Sequence, residues 1–232
     1  MKSRLQNTSE AYNKSVWIDQ QKALIASLQV QPLVIVLRID PTGFKEPFNS
    51  QPWFSLIEEL HSAGVEHIEI AWSSNASWMS LMQELKASFT DISLGAASIT
   101  NIVALESVAE LGLHYAMTPI WDIALQVKAR KLKQLLIPGV SSTTAIQQAK
   151  CFGCQLFKLF PASTLGIKYI HHLKDRVSPS PFVIASGGLT VDDLNPWLQE
   201  GYGAIALGRG LLHNHKIDPQ LRQWLETLKK TT

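Results

Sequence analysis

Two ionisable residues stand in stretches that otherwise read as buried strand. Lys158 lies in Phe157-Lys158-Leu159-Phe160-Pro161, and Glu69 in Ile68-Glu69-Ile70. A bare charge in such surroundings is costly. A lysine enclosed by apolar neighbours gives up its proton more readily. Moving its pKa from ~10.4 to ~7–8 favours the neutral amine by about 4 kcal/mol. A neutral amine attacks carbonyl carbon, and a carboxylate beside it can then move protons. The bland reading is an outward-facing lysine, or a buried ion pair with no chemistry. The apolar flanks on both sides favour the functional reading.

The elements that must hold these residues follow a regular rhythm. Strand-like runs occupy Leu33–Ile39, His67–Ala71, Ile92–Ala96, His114–Met117, Gln134–Ile137, Gln155–Phe160, Phe182–Ala185 and Ala204–Leu207. Helix-like stretches lie between them. Strands alternating with helices predict a parallel sheet. Eight such units predict a single (β/α)₈ (TIM) barrel in the α/β class, over residues 16–232. An extra N-terminal helix at Val16–Leu28 and a C-terminal amphipathic helix at Leu221–Leu228 flank it, and residues 1–15 read as a flexible polar tail. An open doubly wound sheet would carry a glycine-rich phosphate turn after its first strand. Asp40-Pro41-Thr42-Gly43 is not that fingerprint. The glycines cluster late, at Gly187-Gly188 and Gly208-Arg209-Gly210, where barrels place phosphate loops. Glu69 on the second strand and Lys158 on the sixth face each other across such a barrel. Inward side chains of one layer come from alternate strands, so the two can meet on the axis.

Composition narrows the function classes. With 46% hydrophobic and 17% charged residues, the chain has the makings of a sizeable core. Net charge is +2, from 21 Lys+Arg against 19 Asp+Glu, which argues against a nucleic-acid or membrane-surface partner. No apolar run approaches the ~20 residues of a membrane span, and the N-terminus is too polar for a signal peptide. Seven histidines show no metal-ligand spacing, and two cysteines give no disulfide framework. A cytoplasmic protein with a small-molecule partner, no metal and no cofactor is the expectation. Cys151-Phe152-Gly153-Cys154 closes a helix and reads as two small core residues. Lys128–Lys133 reads as complementing a helix dipole.

The stretch Leu136-Ile137-Pro138-Gly139-Val140-Ser141-Ser142, followed by Phe157-Lys158-Leu159-Phe160-Pro161-Ala162, resembles the 2-keto-3-deoxy-6-phosphogluconate / 4-hydroxy-2-oxoglutarate aldolases. The resemblance runs from about Leu33 to Leu212. It implies a class I aldolase on a (β/α)₈ barrel, commonly a homotrimer, that cleaves a phosphorylated 2-keto-4-hydroxy acid to pyruvate and an aldehyde. Lys158 takes the place of the imine-forming lysine and Glu69 that of the acid/base glutamate. Arg38 matches a basic residue of the first strand. Ser98 stands in the third-strand Gly-Ala-Gly-Thr motif, here Gly95-Ala96-Ala97-Ser98. Thr118-Pro119 matches a Ser-Pro after the fourth strand. The phosphate loops fall on Gly187-Gly188 and Gly208-Arg209. Two positions depart from the pattern. Ser73 occupies the slot of an arginine that grips the pyruvate carboxylate, and Arg209 enters where the pattern has no arginine, with a solvated surface arginine as its bland reading. Two alternatives follow from the loss of that carboxylate arginine. One is a non-catalytic barrel that binds a phosphorylated metabolite, and the other is an aldolase with a donor other than pyruvate.

Overall fold

Short apolar strands, each followed by a helix, close on themselves in the computed structural model, which describes residues 2–40, 46–174, 180–213 and 216–231. Pro41–Gly43 of the first loop therefore lies outside the described residues. The strands are β1 (Leu33–Leu37), β2 (His67–Ala71), β3 (Ser93–Ala97), β4 (Tyr115–Met117), β5 (Leu136–Ile137), β6 (Gly139–Val140), β7 (Leu156–Leu159), β8 (Phe182–Ser186) and β9 (Ala204–Leu207). They form one sheet in the order β5-β4-β3-β2-β1-β9-β8-β7-β6, with every pairing parallel.

Nine strands appear where the sequence predicts eight, and Pro138 is the reason. Proline has no N–H to give to a ladder. The fifth strand is therefore split: β5 pairs with β4, and β6 pairs with β7. The two ends of the sheet are consecutive in the chain, so the barrel closes through Pro138. The Pro138 carbonyl still accepts the Lys158 N–H at 2.9 Å. Gly139 makes this passage possible. A methyl there would lie 2.2 Å from the Pro119 carbonyl carbon, so no larger residue fits.

Helix α1 runs over Lys2–Val30, longer than the predicted helix. The segment read as a flexible tail is helical from Lys2. Residues 2–30 contain no Gly or Pro, and nothing local ends the helix before Val30. Helix α1 crosses the N-terminal end of the barrel. Gln21 Oε1 accepts the Gln155 N–H at 2.7 Å, and Gln31 Oε1 accepts the Glu66 N–H at 2.8 Å. Trp17 and Leu28 on its inner face are buried.

The remaining helices cover the barrel wall. They include α2 (Pro52–Ala63), α3 (Ser77–Ser88), α4 (Ile102–Leu111), α5 (Ile123–Lys131), α6 (Thr143–Phe152), α7 (Ala162–Leu165), α8 (Tyr169–Lys174), α9 (Leu194–Glu200) and α10 (Pro219–Thr231). The basic end of α5 does more than complement a dipole. The Arg130 guanidinium packs on Trp17 and Phe152, 4.3 and 3.9 Å from the ring centroids, and donates to the Phe152 carbonyl at 2.8 Å. It clamps α1 to α5 and α6. The two cysteines part company: Cys154 is buried, but Cys151 is exposed. Cys151 is thus not the core residue expected, because α6 turns it to the outside two residues before its left-handed cap at Gly153.

Below the barrel axis, His67 opens β2 fully buried and hydrogen-bonds Ser27 of α1 through Nε2 at 2.8 Å. Burial lowers its pKa from 6.5 to about 4. Between those values the unfolded chain binds a proton that the folded chain refuses. Stability held above pH 6.5 is therefore lost as pH falls toward 4, by about 3 kcal/mol for this group alone. Urea unfolding across this range should show that slope. His67→Gln should flatten it, whatever its effect at neutral pH.

Candidate active site

Strand register brings the two charged residues of the sequence to one height. Val36, Glu69, Gly95 and Tyr115 form a continuous row across β1 to β4. Lys158, Ile184 and Ala204 form the facing row across β7 to β9. Lys158 Nζ lies 3.9 Å from Glu69 Oε2. Lys158 is 6% exposed and Glu69 0%. Gly95 in the Glu69 row leaves its space to the Tyr115 ring, which a Cβ there would meet at 2.7 Å.

At 3.9 Å the pair is in Coulombic contact without a hydrogen bond, and both Glu69 oxygens lack a hydrogen-bond partner among the described residues. Burial pushes the Glu69 carboxyl up to about 7, against the opposing pull of Lys158 and Arg38. Burial also pulls the Lys158 ammonium down, helped by the Arg38 charge and resisted by Glu69. Both shifts point toward a neutral amine beside a neutral acid. That is the protonation state from which a lysine attacks a carbonyl.

Above this pair, the C-terminal ends of β1, β8 and β9 build an anion-compatible rim. Arg38 and Arg209 are both exposed and line a cavity of about 410 Å³ with Gly208, Trp53 and Leu56. A Cβ added at Gly208 would stand 3.6 Å from Arg38 Nη1. Gly187 and Gly188 have φ of 99° and 76°, a left-handed pair that glycine adopts freely. A Cβ on Gly188 would lie 2.1 Å from Ser163 Oγ, and the Ser163 N–H donates to the Gly187 carbonyl at 3.1 Å. A bridge between Thr190 and Gly210 holds the β8 and β9 loops side by side. The two late glycine clusters of the sequence therefore form one surface.

The other candidates lie at the ends of β2, β3 and β4. Ser73 is half-buried, and its Oγ accepts the Asn75 N–H at 3.2 Å. Ser98 holds φ at 64°, a strained conformation for a residue with a side chain. Thr118 is fully buried, and its hydroxyl is engaged with the backbone of Ile120. It shapes the loop, with Pro119 beside it against Gly139. Sequence reasoning missed Tyr115, Trp53 and Ser163. Ser163 was reachable, since it follows directly on the lysine segment. Tyr115 carried no signal, because an aromatic in a short apolar strand reads as core. Among the described residues, no group of three or more His, Cys, Asp or Glu converges to hold a metal.

The family model "KDPG and KHG aldolase" matches residues 26–226. The chain belongs to this aldolase family. Aldolases are carbon–carbon lyases, and the buried lysine–carboxylate pair lies within the matched region. The chain is 27% identical over 150 residues to the 2-dehydro-3-deoxy-6-phosphogalactonate aldolase of Escherichia coli K12, covering 64% of this chain and 73% of that one. The native KDPGal structure superposes with a TM-score of 0.69 at 23% identity, over 86% of this chain and 93% of that one. The KDPG aldolase of Legionella pneumophila, with pyruvate captured as a covalent carbinolamine, superposes at 0.70 and 20% identity, over 88% and 95%. At these identities the structural likeness speaks for the fold: a barrel like those of KDPG aldolases.

Proposed function

We propose that this aldolase works through an imine on Lys158 and cleaves a phosphorylated 2-keto-3-deoxy sugar acid to pyruvate and an aldehyde phosphate. The observation that carries the reading is the buried Lys158–Glu69 contact at 3.9 Å. The neutral Lys158 amine adds to the C2 carbonyl, and the neutral Glu69 acid gives its proton as water leaves, so that a protonated imine stands beside the Glu69 carboxylate. The Glu69 carboxylate takes the proton of the C4 hydroxyl. The C3–C4 bond breaks, its electrons pass into the imine, and the aldehyde leaves. The Glu69 acid then returns its proton to C3 of the enamine, and water releases pyruvate. The imine is the electron sink, so this route calls for no metal or organic cofactor.

Substrate contacts follow from position. The glycines at 187, 188 and 208 offer backbone N–H groups to a phosphate, and Arg38 and Arg209 add charge at that end. Ser73, Ser98 and the Thr118-Pro119 turn border the pyruvate end. The relatives named for phosphorylated sugar acids support the phosphorylated substrate. A binding-only role fits less well, because burying a lysine and a glutamate in one barrel layer is costly and simple binding does not require it.

The working unit is a homo-oligomer, a trimer on family resemblance. Five exposed apolar side chains support this: Ile102 and Val103 on α4, Ile120 before α5, and Ile123 and Val127 on α5. No helix among the described residues is long and apolar enough to cross a membrane. A reducing cytoplasm suits the exposed free thiol of Cys151.

Three outcomes test this reading. Borohydride reduction with pyruvate should fix an adduct on Lys158 in peptide mass spectra, and an adduct on another lysine, or none, rejects the imine. Ser73→Arg should tighten pyruvate binding roughly ten- to hundredfold, since a charged fork replaces a neutral hydroxyl. No gain there would mean that the donor is not pyruvate. Sedimentation should give the mass of three chains, reduced to one by Val103→Glu with Ile123→Glu; a monomeric parent rejects the trimer.

A further inference from the structure

Tyr115 presents a buried polar group for which the mechanism so far has no use. It is 0% exposed, and its hydroxyl has no hydrogen-bond partner among the described residues. A buried hydroxyl left unpaired is unfavourable, and a phenylalanine would fill the same space without that cost. The ring is aimed by Gly95. That glycine is the residue in register between Tyr115 on β4 and Glu69 on β2. A Cβ on Gly95 would lie 2.7 Å from Tyr115 Cε2 and 2.8 Å from Cζ, the atom that bears the hydroxyl. The phenol end of the ring therefore lies over β3 and reaches toward β2. Glu69 stands there on the far side of Gly95, and its two oxygens also lack hydrogen-bond partners among the described residues. Burial, with the Glu69 charge, holds the Tyr115 phenol well above its ordinary pKa of 10. Tyr115 is therefore a neutral donor at any working pH.

We infer that Tyr115 is a positioning residue for Glu69: its hydroxyl donates to the carboxylate when that carboxylate is ionised. The inference rests on the proposed role of Glu69 as proton shuttle. The groups facing Glu69 are Lys158 from β7, Arg38 from the end of β1, Tyr115 from β4 and, lower on its own strand, neutral His67. In the free protein burial favours a neutral Glu69 acid beside a neutral Lys158 amine. During the reaction Glu69 is ionised while the Lys158 nitrogen is a protonated imine committed to the substrate, and it is neutral once the enamine has formed. Tyr115 then offers a hydrogen bond that does not depend on the state of Lys158. It favours the ionised form of the base without adding a charge of its own.

The test is the pH dependence of pyruvate methyl-proton exchange in deuterated water, with Glu69→Gln as reference. Glu69→Gln should slow exchange about 10²–10⁴-fold while leaving borohydride trapping on Lys158 intact. Tyr115→Phe should also keep trapping, and it should keep the rate at high pH to within about twofold. Its acid limb should move up by about one pH unit, making exchange roughly tenfold slower on that limb. Site-specific 3-fluorotyrosine at position 115, a stronger donor, should move the limb down. It also provides the reading if Tyr115→Phe does not fold. A packing role would leave the limb in place. Unmoved limbs in these variants, with Glu69→Gln slow, overturn the role of Tyr115 and leave Glu69 standing. If Glu69→Gln exchanges at the parental rate, the Glu69 reading fails and this inference fails with it.

Discussion

The rest of the molecule depends on the cost of placing an ammonium and a carboxylate in one dry layer of a barrel. Removing either charge from water costs several kcal/mol, and their mutual attraction offsets this only in part. Lys158 and Glu69 are 3.9 Å apart and not hydrogen-bonded, so the offset is incomplete. The penalty appears as two opposed pKa shifts: the acid is raised to about 7 and the amine is lowered. A lysine that surrenders its proton easily and an acid that both takes and returns one are what imine chemistry requires. The site uses a cost that the fold imposes.

That cost has to be met by a rigid surround. Helix α1 and the residue after it seal the N-terminal end through Gln21, Ser27 and Gln31, each bonded to a strand end or to the loop before it. Arg130 fixes α1 in place by packing on Trp17 and Phe152. Closure through Pro138 brings β5 and β6 into one continuous wall, and the same peptide holds the backbone of Lys158 through its carbonyl. The residue that interrupts the strand thus also anchors the reactive lysine.

Charge is distributed unevenly along the site. The end near Ser73 has a neutral hydroxyl bound up in a local turn, whereas Arg38 and Arg209 share one cavity with Gly208 at the other end. A guanidinium binds a dianion more strongly than a hydroxyl binds a carboxylate. On the proposed reading, recognition leans on the phosphate, and the imine fixes the keto acid covalently. Glycines at 187 and 188 allow the close backbone approach that a phosphate needs, and the Thr190–Gly210 bridge joins both loops in one surface.

Much of this was legible in the residue string. Alternating apolar runs and amphipathic helices specify a parallel barrel, because the periods of strand and helix are local properties. Lys158 and Glu69 stood out because charge within an apolar strand is rare and costly, and their strand numbers placed them opposite each other. The split at Pro138 was visible only as a proline. Whether it would end a strand or bend one depends on both neighbours across the sheet. The N-terminal helix looked like a tail because its first half is polar, and polarity alone does not separate a helix from a coil. Cys151 looked like core because one turn of a helix decides which of two cysteines faces inward. Tyr115 was invisible as anything but packing. Its hydroxyl acquires meaning only once register sets Gly95 between it and Glu69. The sequence by itself determined which residues carry charge into the barrel and which elements hold them. The tertiary structure alone decided which side chains meet, because such contacts depend on register, and register is fixed by pairing between strands distant in the chain.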